Sequence, residues 1–260
     1  MTGTVKNDSN REKEGTMYET LKIMGYDVFV DDVSAIRTDR TGKQVVNTIN
    51  PHSYITAKSD PVFREALLAS DTLLPDGSGI VLAAKRIRGK KIRKIAGFDL
   101  HLHLLSELEK TGGSVFYMGA SQKTLDRIHE RLKKEFPSVR AGSHSPPYKA
   151  EFTAEENREI IGKINAFGPD VLFVGMTAPK QEKWLHANRE RLDFRVASCI
   201  GAVFDFYAGT VERPSQFWID LHLEWLPRLL KEPRRLWKRN FVSTPLFLAD
   251  MLMYRYGVKR

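Results

Sequence analysis

From Tyr18 onward, short β-branched or apolar runs alternate with longer segments whose apolar positions recur at helical spacing, and Gly, Asn or Asp falls at the joins. The runs predict strands at YDVFV, centred on 27–30, and at 44–50, 72–75, 114–119, 170–175 and 195–201. Between them the spacing predicts helices over 60–69, 79–88, 99–111, 121–136, 153–167 and 179–191. Thr153 followed by Glu156 is a capping box for the fifth helix. Strands that are apolar throughout, each leading into a helix, predict a Rossmann-like α/β fold with a mostly parallel sheet flanked by helices. Ligands of such sheets bind at the carboxyl ends of the strands, so the informative residues should follow each strand.

The pattern changes at both ends of the chain. Residues 1–17 are polar without an apolar period and read as a disordered leader. Residues 18–210 read as the α/β catalytic domain. Over 211–260 strand signals stop, and helical segments are punctuated by Pro227, Pro233 and Pro245, which predicts a helical C-terminal appendage. Trp, Leu and Phe interleave there with ten Lys or Arg against five Asp or Glu, so +5 of the net charge of +9 sits in the last fifty residues. That placement predicts contact with an anionic membrane surface. No run reaches the roughly 18 apolar residues of a spanning helix, so the contact is expected to be peripheral, on the cytoplasmic face.

Composition narrows the function. The single cysteine, Cys199, lies in an apolar run and is expected to be a small buried residue in a reducing compartment. Basic charge also fits nucleic acid, but zinc-ligand spacing and an RNA-binding aromatic signature are absent, so no nucleic-acid partner is expected. His101 and His103 are spaced i, i+2 and diverge on a helix, no Asp-x-Asp occurs, and neither a metal nor another cofactor is expected. No Walker loop, Gly-x-Ser-x-Gly elbow or Gly-x-Gly-x-x-Gly after a strand is present.

Six clusters follow the predicted strands and helices. Thr48 and Asn50 end the second strand, and Pro75-Asp76-Gly77-Ser78-Gly79 ends the third. Asp76 at that tip is placed either as a general base or as a helix cap. The basic run Arg86 to Lys94 leads into Gly97-Phe98-Asp99, and one or two of its members are within reach of a diphosphate there, although such runs are usually solvated faces. Gly119 opens a helix suited to phosphate or, more simply, makes a tight turn. Lys180 and Gln181 follow Pro179 at the next strand end, and Asp205 lies among aromatics, either as a paired structural carboxylate or as a site acid.

Taken in order, these clusters resemble the WecG/TagA/CpsF glycosyltransferase family over about residues 24–245. The matching pieces are Thr48-x-Asn50, Leu74-Pro75-Asp76-Gly77-x-Gly79, Gly97-x-Asp99-Leu100, Gly175-x-x-Ala178-Pro179-Lys180-Gln181-Glu182-Lys183-Trp184, Phe204-Asp205-Phe206-x-Ala208-Gly209, and the run from Leu223 to Trp237. The resemblance implies an inverting, metal-independent transfer of a sugar, N-acetylmannosamine in the best-known members, from a UDP-sugar donor. The acceptor it implies is a polyprenyl-diphosphate-linked sugar such as undecaprenyl-diphosphate N-acetylglucosamine, in surface polysaccharide or teichoic acid synthesis. Carried over by motif, Asp76 resembles the base that deprotonates the acceptor, with Thr48 and Asn50 beside it in the pocket. Gln181 resembles a donor-binding residue, and Arg228 and Arg235 resemble arginines that complete the site over the leaving diphosphate, with Arg213 and Arg239 as further candidates.

Two departures stand out. Lys94, beside Arg93, occupies the place where many members carry Arg, and Asn50-Pro51-His52 replaces a more familiar Asn-x-Glu. The second leaves glucosyl or uronosyl transfer open. A non-catalytic nucleotide-sugar-binding partner is the reading from another class, and a homo-oligomer is left open.

Overall fold

The computed structural model describes residues 18–211, 218 and 237–257. Residues 1–17, Arg213, Trp225, Arg228 and Arg235 lie outside the described residues. Strands β1 (Thr20–Ile23), β2 (Tyr26–Phe29), β3 (Gln44–Ile49), β4 (Thr72–Pro75), β5 (Ser114–Gly119), β6 (Arg140–His144), β7 (Val171–Gly175) and β8 (Val196–Cys199) form one sheet. Their order is β1-β2-β4-β3-β8-β7-β5-β6, with β1 antiparallel to β2 and all other neighbours parallel.

Helices α1 (Pro51–Ser59), α2 (Pro61–Leu68), α3 (Ser78–Arg88), α4 (Gly97–Thr111), α5 (Gln122–Glu135), α6 (Ala154–Phe167), α7 (Lys180–Asn188) and α8 (Val203–Ala208) cover both faces of the sheet. A π-helical turn at Lys238–Ser243 leads into the last described helix, α9 (Thr244–Arg255). The predicted mostly parallel α/β architecture is the one observed.

The strands carry period-2 burial on two sides at once. Val115 and Tyr117 of β5 and Val171 and Phe173 of β7 pack with α4, α5 and α8, whereas Phe116, Met118, Leu172 and Val174 pack with α6 and α7. Both faces are apolar because both are covered, which is why these strands read as unbroken apolar runs. His101 lies wholly inside the first of these cores, its Nε2 2.7 Å from the Tyr117 hydroxyl, and burial pulls its pKa down to about 3. His103 faces the carbonyl of Ile36 at 2.7 Å. The two histidines diverge, as their spacing requires.

Four elements escaped the sequence pattern, the short helix α8 and three others. Strand β1 pairs with β2 across a two-residue turn in which Met24 and Gly25 both have positive φ, at 49° and 92°. Hairpin turns of this kind favour Asn-Gly, and a methionine there gives no warning. Strand β6 is an edge strand almost without apolar residues; a Cβ at its Gly142 would lie 2.8 Å from the rings of both Phe116 and Phe167. Helix α1 starts at Asn50-Pro51, a cap followed by proline at the first helical position.

Helix α9 packs onto the body. Phe247 and Met251 are buried with Ile49, Phe63 and Ile80 under β4, and the Phe247 ring meets Tyr54 edge-on at 5.4 Å. Lys58 bonds Asp250 at 2.5 Å, and Ser243, itself buried, lies 2.9 Å from His52 Nδ1. Among the described residues no helix is long and apolar enough to cross a membrane.

Candidate active site

The parallel strands direct their carboxyl ends to one edge of the sheet, and β3 and β4 place the first group of side chains there. Thr48 is level with Leu74, and Ile49 with Pro75. Asp76 follows at once, with its N–H donating to the Ile49 carbonyl at 2.9 Å. The N-cap position of α3 is Gly77, at φ 87°, so Asp76 stands one residue before the cap. Its carboxylate faces the crevice side of Asn50, whose Nδ2 lies 3.5 Å from Asp76 Oδ2.

Asn50 is itself immobilised. Its Oδ1 accepts from the Ser53 N–H at 3.0 Å while Ser53 Oγ accepts from the Asn50 N–H at 2.8 Å, a reciprocal capping box. Both glycines of Asp-Gly-x-Gly have a reason. Gly77 needs its positive φ, and a Cβ on Gly79 would lie 2.4 Å from the Pro51 ring. The loop after β4 is therefore pressed against the start of α1, and Asp76 is held next to Asn50 by backbone packing.

The basic run reaches the same place through its end. Ile95 N–H donates to the Pro75 carbonyl at 3.0 Å, which brings Lys94 to the tip of β4. Lys94 is half-buried there. Arg93 points away: it is 83% exposed and pairs with Asp32 at 2.9 Å. Of the two cations left open by the sequence, Lys94 is the one whose backbone lies by the end of β4.

A second group gathers at the ends of β7 and β8. The β3–β8 ladder runs only through Gln44 and Val45, and the Asn47 side chain then bridges the strands, accepting from the Cys199 N–H at 3.2 Å. Gln181, 5% exposed, accepts from the Met176 N–H at 3.2 Å and donates to Glu182 at 2.8 Å. A Cβ on Gly201, just beyond β8, would lie 3.5 Å from its Oε1. Gln181 thus spans the ends of both strands. Glu182 is also buried, and burial raises its pKa to about 7. Glu182 lies within the Pro179–Trp184 motif, and nothing in the spacing signals that its carboxyl turns inward.

The remaining candidates separate. Gly119, at φ 121°, packs so closely on β7 that a Cβ would lie 2.3 Å from the Gly175 carbonyl oxygen, so the simpler reading, a tight turn, accounts for this glycine. The Ser121 hydroxyl caps α5 by accepting from the Thr124 N–H. Lys180 turns toward the loop after β6, donating to the Lys149 carbonyl at 2.6 Å with its ammonium 3.7 Å from the Phe152 ring centre. Asp205 accepts from Thr210 in the turn ending α8 and is half-buried. Cys199 is buried, and burial pushes its thiol pKa well up. Among the described residues no group of three His, Cys, Asp or Glu side chains is arranged to hold a metal.

Open parallel sheets bind their ligands in the crevice outside the strand ends, and the side chains collected at this edge make the protein an α/β enzyme of that design. It belongs to the glycosyl transferase WecG/TagA/CpsF family, whose profile matches residues 20–260. It is 34% identical over 227 residues to an N-acetylglucosaminyldiphosphoundecaprenol N-acetyl-beta-D-mannosaminyltransferase of Bacillus spizizenii, covering 87% of this chain and 85% of that one. Proteins of the same description from Bacillus subtilis and Staphylococcus aureus are 29% and 24% identical, over 86% and 85% of this chain and 85% and 84% of theirs. The protein is a glycosyltransferase.

Proposed function

We propose that the protein transfers N-acetylmannosamine from UDP-N-acetylmannosamine to N-acetylglucosamine carried on undecaprenyl diphosphate, with inversion and without a metal. The observation that carries this reading is Asp76, which directly follows β4 at the sheet edge with its carboxylate 3.5 Å from the Asn50 amide. The acceptor hydroxyl oxygen attacks C1 of the donor sugar, its proton passes to Asp76, and the C1–O bond to UDP breaks on the opposite face. One carboxylate suffices for that displacement. The charge growing on the leaving diphosphate calls for fixed cations, and Lys94 together with Arg228 and Arg235 is assigned to it. Thr48 and Asn50 line the acceptor side, and Gln181 the donor side.

The lipid acceptor calls for a membrane surface, at which the protein is peripheral. Trp237, Phe241, Val242, Leu246 and Leu252 are exposed around α9, an apolar set that supports such contact. The direct test offers a panel of UDP-sugars with a polyprenyl-diphosphate N-acetylglucosamine acceptor in buffer containing chelator. Transfer of N-acetylmannosamine with an inverted anomeric centre is expected; transfer of another sugar alone, or strict dependence on added metal, contradicts the reading.

A further inference from the structure

The Gln181 amide is fixed in one orientation by two contacts of opposite polarity. Met176 N–H donates to its Oε1, and its Nε2 donates to Glu182 Oε1. A flipped amide would set N–H against N–H and oxygen against carboxyl oxygen, so both contacts would fail. Glu182 holds one side of this arrangement at a cost. It is 8% exposed, and its Oε2 is buried with no hydrogen-bond partner among the described residues. A buried carboxyl with an unmet oxygen destabilises a fold, and an apolar side chain of the same size would serve packing better. Its raised pKa, caused by burial, is the same cost seen in another form.

We propose that Glu182 is a positioning residue for the donor substrate, acting through Gln181: it takes one amide N–H so that the other, with the remaining lone pair of Oε1, is presented in fixed orientation to the nucleoside diphosphate sugar. The Gly201 turn agrees with this, since a side chain there would crowd the amide at 3.5 Å. The inference rests on the reading of Gln181 as a donor-binding residue.

Two variants and one spectrum test it. Glu182→Gln keeps shape and an acceptor oxygen, and Glu182→Met keeps volume without the acceptor. UDP binding by the unaltered protein is measured first, and its failure counts against the donor site, not against Glu182. With binding established, Glu182→Met should weaken UDP binding and raise donor KM about tenfold, with kcat and acceptor KM changing far less, and Glu182→Gln should recover most of the loss. A folded Glu182→Met protein with unchanged donor KM, or equal loss in both variants, overturns the proposal. Should Glu182→Met not fold, side-chain amide NMR of the unaltered protein decides: one slowly exchanging Gln181 amide proton is expected, and two exchanging as in free glutamine overturn it.

Discussion

Asn50 holds two elements with one side chain: its Oδ1 caps α1 through the Ser53 N–H, and its Nδ2 faces the Asp76 carboxylate at 3.5 Å. The cap and the proposed base are thus coupled, and the two duties separate by substitution. Asn50→Asp keeps the capping oxygen but sets a second carboxylate beside Asp76. The cap itself should survive, because Asp caps as well as Asn, and any loss of melting temperature should come from the two facing carboxylates and shrink as pH falls. The acid limb of the rate–pH profile should shift to higher pH, because a like charge disfavours ionisation of Asp76. An unmoved limb would detach Asp76 from the titration.

Gly79 should be intolerant for a steric reason. Its Cβ would meet the Pro51 ring at 2.4 Å, so Gly79→Ala has to displace the start of α1 and with it Asn50. Overpacking of this kind costs about 1–3 kcal/mol. Turnover should fall further than stability does, which thermal melts alongside initial rates would register.

His101 makes the fold acid-sensitive. Its folded pKa is near 3 against an ordinary 6.5, so below pH 6.5 the unfolded chain binds a proton that the folded chain refuses. The stability it confers is complete above that value and drains away as pH falls toward 3. Between pH 6.5 and 5 this amounts to about 2 kcal/mol. Urea unfolding at the two pH values should show that loss in the unaltered protein and not in His101→Phe.

Phe247 tests whether α9 is part of the body. It is fully buried among Ile49, Phe63 and Ile80, so Phe247→Ala should cost about 3–5 kcal/mol, as for core phenylalanines generally. Chemical denaturation measures it. A loss below about 1 kcal/mol would mean that α9 contributes little to the core.

The parallel core was legible because β5 and β7 are buried on both faces and so spell continuous apolar runs, and the capping box at Thr153 and Glu156 marked its helix correctly. Strands β1 and β6 were not legible, since each is short, lies at a sheet edge and owes its shape to a turn or to neighbouring rings. At the site, Asp76, Thr48 and Asn50 could be grouped from their strand-end positions. That Lys94 lies by the end of β4 while Arg93 pairs with Asp32 needed the Ile95–Pro75 hydrogen bond and that ion pair, and the Gln181–Glu182 contact depends on side-chain directions that no spacing encodes. Lys180 shows the converse: it follows a strand end as expected, yet its ammonium is taken by the Lys149 carbonyl and the Phe152 ring.

The most direct measurement of the central claim is transfer from UDP-N-acetylmannosamine to the lipid-linked acceptor by Asp76→Ala, with UDP binding measured on the same preparation. Transfer should fall by a factor of about a hundred or more, the scale of a lost general base, while UDP binds nearly as before. Undiminished transfer by a folded Asp76→Ala protein would contradict the account.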